Sequence, residues 1–93
     1  DCRTMQEVRR GVDRLDERIV ELLAERFRYM EAAARIKPSR DAVRDEDRKS
    51  DVLAKVERSA RKSGLDPVIA RGLYDSLVEA SIAYEFERYD ATR

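Results

Sequence analysis

The stretch TMQEVRRGVDRLDERIVELLAERFRYMEAAARI, residues 4–36, decides the fold. Thr4-Met5-Gln6-Glu7 has the T-x-x-E form of a capping box and marks a helix start. Behind it runs an apolar ladder of Met5, Val8, Val12, Leu15, Ile19, Leu22, Tyr29, Ala33 and Ile36. Its rungs lie three and four residues apart, with position 26 skipped, which makes a heptad-like seam. Pro38 ends the pattern, because the residue before proline is pushed out of the helical region. About 32 residues at 1.5 Å each form a rod of roughly 48 Å. A compact domain of this length is only roughly 30–35 Å across. The rod should therefore protrude with its seam exposed, and another chain should cover it. The expectation is a homodimer in which the two long helices pack together.

Working outward, a loop over about 38–43 leads to a second helix over 43–62, with Val52, Leu53, Val56 and Ala60 turned inward. Arg61 and Lys62 suit the negative end of that helix, and Gly64 is a good residue to close it. Asp66-Pro67 then reads as cap and first position of a third helix over 67–89. There is no strand signal and no internal repeat. The fold class is all-α, a single three-helix domain over residues 1–93.

Composition narrows the function classes. The chain has 93 residues, 20 Lys+Arg against 20 Asp+Glu, no histidine and one cysteine. Without His, Ser-His-Asp and Cys-His nucleophilic sites and His-ligated zinc are excluded. One Cys excludes internal disulfides and Cys-rich metal sites, so Cys2 reads as a small filler near the terminus or as a lone thiol. The three glycines form no phosphate-binding motif. Net charge zero argues against a nucleic-acid partner, which normally demands a basic excess. No apolar run approaches the roughly 20 residues that span a membrane. No signal peptide is visible and a cytoplasmic location is expected, although a chain beginning at Asp1 rather than Met leaves room for a preceding segment. Charged residues make up 43% and hydrophobic ones 42%, a charge-faced helical composition. No cofactor and no metal is called for.

The skipped rung of the seam is Arg26. A guanidinium between Leu22 and Tyr29 starts from a half-buried position, where an unpaired charge costs several kcal/mol. Two readings fit it: an internal ion pair or snorkelling, with Glu21, Glu25 and Glu31 near at hand, or an anion site. Arg26 has company. Arg9 adjoins Val8, Lys37 follows Ile36, and Arg48 lies four residues before Val52. On the third helix Leu77, Ser81 and Glu85 share one face. Each is individually compatible with a solvated surface or the edge of a core. Together they suggest a cationic, helix-lined pocket.

The order and spacing of these residues carry a resemblance that covers almost the whole chain. Val8-Arg9, Asp13-Arg14-Leu15-Asp16, Ile19-Val20, Leu22-Leu23-Ala24-Glu25-Arg26, Lys37, Val43-Arg44-Asp45 with Arg48, and Gly64-Leu65-Asp66 resemble the all-helical (type II) chorismate mutase family, including its isochorismate pyruvate lyase relatives. The resemblance implies an intertwined dimer with two equivalent sites. Arg9 would reach across into the partner's site, and Arg9, Arg26 and Arg48 would hold the two carboxylates of a small dianionic substrate. Lys37 would bond the ether oxygen that separates from the ring. Asp45 and Ser81 would line the site, Asp45 towards the ring hydroxyl, and Glu85 would take the place of the donor to the ether oxygen.

That chemistry suits a chain without histidine. Both reactions are described as concerted and need shape and fixed positive charge rather than a nucleophile. Two departures from the family pattern matter. Glu85 stands where many relatives have Gln and can donate only when protonated. Activity should therefore rise towards acid pH, and Glu85→Gln should flatten the profile. Lys49 stands where a glutamate that binds the ring hydroxyl is common in the mutases. The Lys37–Arg48 loop length, the opening Asp1-Cys2 and the segment Tyr29 to Lys37 with its alanine run look lyase-like, while Val43-Arg44-Asp45 looks mutase-like. The expected activity is chorismate mutase, with isochorismate pyruvate lyase as the close alternative and a mutase of 4-amino-4-deoxychorismate as a minor third. A helical dimerisation or regulatory module without catalysis is the reading from a different class.

Overall fold

The Thr4 hydroxyl accepts the Glu7 N–H at 3.2 Å and starts α1, Met5–Ile36, in the computed structural model, which describes residues 2–93. The reading of Asp1 as the opening residue lies outside the described residues. The capping box is altered on its return arm. Instead of reaching the Thr4 N–H, the Glu7 carboxylate accepts the Arg3 N–H at 3.3 Å and the Thr4 hydroxyl at 3.4 Å. At the far end Lys37 leaves helical geometry with ψ 134°, as Pro38 requires, and its N–H still bonds Ala33 O at 2.9 Å.

A single 3-10 turn, Arg40–Ala42, crosses to α2, Glu46–Ser63. The second helix thus begins three residues later than periodicity alone placed it. Asp45 is the cause: its carboxylate accepts the Arg48 N–H at 2.9 Å, fixing an extended residue at the helix mouth. Gly64 closes α2 at φ 76°, a left-handed conformation that costs every other L-residue energy, and Leu65 N–H returns to Ala60 O at 2.9 Å. Asp66 caps α3, Pro67–Ala91, through Val68 N–H at 2.9 Å, with Pro67 at its first turn. The described residues hold three α-helices and no strand, an all-α fold. No helix is long and apolar enough to cross a membrane.

α3 packs against both other helices, which do not pack against each other. On the α2 side its core joins Val78 and Ile82 to Val43, which precedes α2, with Val52 of α2 and Tyr74, Phe86 and Tyr89 against them. Leu53 and Ala60 are buried on the same side. Its contact with α1 uses a different stripe from the seam. The covered residues are Leu23, Phe27, Met30 and Ala34, one position on from the ladder. Phe27 meets Tyr84 edge-on at 5.2 Å, and the Tyr84 hydroxyl donates to Glu31.

The seam itself is open. Met5, Val8, Val12, Leu15, Ile19, Leu22, Tyr29 and Ile36 are all exposed, Leu15 to 63%. The protein is accordingly elongated, 54 × 25 × 15 Å, with a radius of gyration of 16.4 Å against about 12 Å for a compact chain of this length. Val68, Ile69 and Leu73 at the start of α3 form a further exposed apolar patch.

Gly64→Ala should destabilise the protein by about 1 kcal/mol, because alanine must adopt the left-handed conformation there. The corresponding fall in melting temperature is about 4–8 °C, measured by thermal unfolding.

Candidate functional site

Where α1, α2 and α3 converge there is a cavity of about 290 Å³. Its polar lining comprises Arg26, Lys37, Asp45, Arg48, Lys49, Ser81 and Glu85, over an apolar floor that includes Val52, Val78 and Ile82. Six of the seven site residues singled out from the sequence are therefore brought together. Arg9 is the exception. It is exposed on α1, 17 residues before Arg26, hence roughly 26 Å away along the helix.

Arg26 has the most informative surroundings. It stands on the border between the covered stripe of α1 and the exposed seam, and its guanidinium donates to Ser81 Oγ at 2.6 Å. Ser81 in turn donates to Leu77 O at 2.7 Å, so its proton is directed away from Arg26. The guanidinium also lies over the Tyr74 ring at 5.8 Å. None of the acids offered by the sequence pairs with it: Glu31 accepts from Tyr84, Glu21 lies near Arg18, and Glu25 forms no ion pair. Among the described residues Arg26 is a half-buried cation with neutral partners and no counter-charge. The internal ion pair offered by the sequence is thus not formed among the described residues.

The second pole is Lys37 with Glu85. Glu85 is 4% exposed, and Lys37 Nζ donates to its Oε2 at 3.0 Å and to Val43 O at 3.2 Å. Glu85 Oε1 makes no hydrogen bond among the described residues. Two arginines hold the loop that carries Lys37. Arg40 forks onto Asp90 at 3.0 and 3.3 Å, and Arg93 donates to Ala34 O at 3.3 Å and Lys37 O at 3.0 Å. Arg93, just past the end of α3, thus caps the Ala34 carbonyl in the last turn of α1 and the Lys37 carbonyl beyond it.

On α2 the pattern differs. Arg48 points its guanidinium to Asp51 at 2.7 Å and remains mostly exposed, a local pair that a ligand can displace at small cost. Asp45 lines the cavity but also caps α2, so one of its oxygens is already committed. Lys49, noted in the sequence only as a departure, is half-buried in the wall and bonded to Asp75 at 3.0 Å and Glu79 at 2.8 Å. Glu79 also takes Arg44, at 2.7 and 3.2 Å. Bonds from Arg44 first, then from Lys49, bring the Glu79 carboxyl down from 4.5 to about 2. Arg44 and Lys49 are held above their usual values, chiefly by the same carboxylate. Periodicity could not find Glu79, because it lies off the inward face of α3 and its partners are distant in sequence.

Replacing Lys37 by Met strands a buried Glu85 carboxylate and should cost about 3 kcal/mol near neutral pH. Adding Glu85→Gln should recover most of that loss in urea unfolding. Glu79 makes a second, pH-dependent contribution. Its carboxyl is depressed on folding, so the stability it adds is complete above about 4.5 and disappears as pH falls towards 2. Denaturant midpoints across that window should show a decline that is shallower in Glu79→Gln.

Sequence comparison places the chain in a family. The profile of the family described as chorismate mutase type II matches residues 8–86. The isochorismate pyruvate lyase of Pseudomonas aeruginosa is 32% identical over 93 residues, spanning 100% of this chain and 92% of that protein. With its helices, its cation-lined cavity and a match from the middle of α1's first turns to the last turns of α3, the chain belongs to the type II chorismate mutase family.

Proposed function

We propose that the cavity binds chorismate and promotes its concerted rearrangement to prephenate. The observation that carries this reading is Arg26, a half-buried guanidinium without a counter-charge in a wall shared with Lys37, Arg48 and Glu85. Such a group is stabilised by an incoming carboxylate, and a planar fork suits bidentate contact. Arg48 supplies the second carboxylate contact after leaving Asp51. Asp45 faces the ring hydroxyl, and Ser81 keeps Arg26 aimed.

Holding both carboxylates folds the substrate into a compact reactive conformer, so much of the barrier is met before reaction. In the rearrangement the carbon–oxygen ether bond breaks while a carbon–carbon bond forms, and negative charge grows on the ether oxygen. Lys37 Nζ donates to that oxygen. A fixed donor of this kind contributes about 3 kcal/mol, or 10²–10³ in rate. Glu85 acts beside it as a second donor when protonated, and as a carboxylate it opposes the developing charge.

The proposed active unit is a homodimer. The exposed seam of α1 supplies the surface, and the partner's copy of Arg9 would complete the carboxylate contacts, since Arg9 lies too far from its own cavity. A second reading, elimination of pyruvate from isochorismate to leave salicylate, is favoured by the Pseudomonas aeruginosa relative, whose name is that of such a lyase. Lys49 in place of a wall glutamate also leans this way.

The test is incubation with chorismate and isochorismate separately, from pH 5 to 8, reading prephenate against salicylate plus pyruvate. The mutase reading expects prephenate from chorismate as the main product. Arg26→Ala and Arg48→Ala should each lose nearly all turnover while remaining folded. Salicylate as the main product establishes the lyase instead. Neither product from either substrate leaves the family fold as a non-catalytic module.

A further inference from the structure

We infer that Glu79 is a positioning residue that buckles the first turn of α2 to α3 and so sets where Arg48 and Asp45 stand in the cavity wall. Glu79 touches no cavity surface itself. Its carboxylate instead grips both ends of a short segment. Arg44, just before the Asp45 cap, donates to Oε1 at 2.7 Å and to Oε2 at 3.2 Å. Lys49, just after Arg48, donates to Oε2 at 2.8 Å. Between these two anchors lie two residues of the cavity wall, the capping Asp45 and Arg48.

The arrangement answers a geometric problem. Arg48 is long, mostly exposed and tied only to Asp51 on its own helix, so its side chain does not locate itself. Its reach into the cavity depends on where its backbone is held. Val52 and Leu53 anchor the helix below, but the first turn is loosely packed, since residues 44–48 are all exposed. A bidentate arginine contact fixes direction as well as distance. The carboxylate is shared, so removing it releases both anchors at once. Arg44 retains Glu46 at 2.9 Å and Lys49 retains Asp75 at 3.0 Å, so the turn loosens rather than unfolds.

This inference rests on the proposed substrate reading for its catalytic readout, but its structural readout does not. The test compares Glu79→Gln with Glu57→Gln in the full chain. Glu57 pairs with Arg71 in another α2–α3 ion pair, outside the cavity, and serves as the control for loss of a tether alone. Two quantities are measured: hydrogen exchange of the Arg48 and Lys49 amides, which bond Asp45, and kcat and KM for whichever of chorismate and isochorismate the parent turns over. Glu79→Gln should speed exchange of both amides and lower kcat/KM about tenfold, mainly by raising KM, because Arg48 binds substrate before and during reaction. Glu57→Gln should leave both unchanged.

Unaltered exchange in Glu79→Gln overturns the inference. So does an equal effect of the two variants, or faster exchange with kcat/KM at the parental value. Should the parent turn over neither substrate, the functional reading fails, and the exchange comparison alone decides the role of Glu79.

Discussion

Charge in a partly dry cavity has to be matched, and in this protein α3 does the matching. Ser81 receives Arg26, Glu85 receives Lys37, and Asp75 with Glu79 receives Lys49. Asp75 and Glu79 are one helical turn apart, as are Ser81 and Glu85, so one element serves cations on both neighbours. The apolar contacts beneath them are modest: the buried cluster is Val43, Val78 and Ile82. What distinguishes the site is the one mismatch. Arg26 meets a hydroxyl where every other wall cation meets a carboxylate, and Ser81 has already spent its proton on Leu77. The cavity therefore carries an unbalanced positive charge where a dianion would be held, without the whole protein carrying any.

The same division explains the shape. α3 reaches only the C-terminal half of α1, where Leu23, Phe27, Met30 and Ala34 are shielded. The remainder projects with an apolar face that nothing in one chain covers. Arg9 belongs to that projecting part. A pairing of two chains along the seam is the proposed remedy for both facts, giving the apolar face a cover and the cavity its last cation.

Much of the fold was legible in local chemistry. Thr4, Pro38, Gly64 and Asp66-Pro67 are strong signals because each acts through its own backbone or the next turn. The start of α2 was less so. Val43 has the right period for a helix, but it is pulled into the core ahead of the Asp45 cap, and burial outweighed periodicity. The seam was read correctly as apolar, yet the stripe that packs within the chain is its neighbour, because Phe27 and Met30 were passed over in a ladder keyed to three-four spacing. Arg26 and Ser81 could be suspected from an anomalous charge and a shared helix face. Which acid pairs with which cation could not. Glu79 joins residues 35 and 30 positions away, and only the crossing of α2 over α3 brings them together.

The proposed chemistry asks little of side-chain reactivity and much of placement. Two carboxylate clamps, a fixed ammonium and an acid whose protonation matters are enough for a concerted reaction. The most direct measurement mixes two inactive variants, Arg9→Ala and Arg26→Ala, under conditions that let chains exchange. In an intertwined dimer each mixed pair contains one intact site, built from Arg26 of one chain and Arg9 of the other. Roughly a quarter of parental turnover should return at equal mixing, since about half the dimers are mixed and each has one working site. No recovery, with exchange verified, would contradict a site assembled from two chains around this cavity.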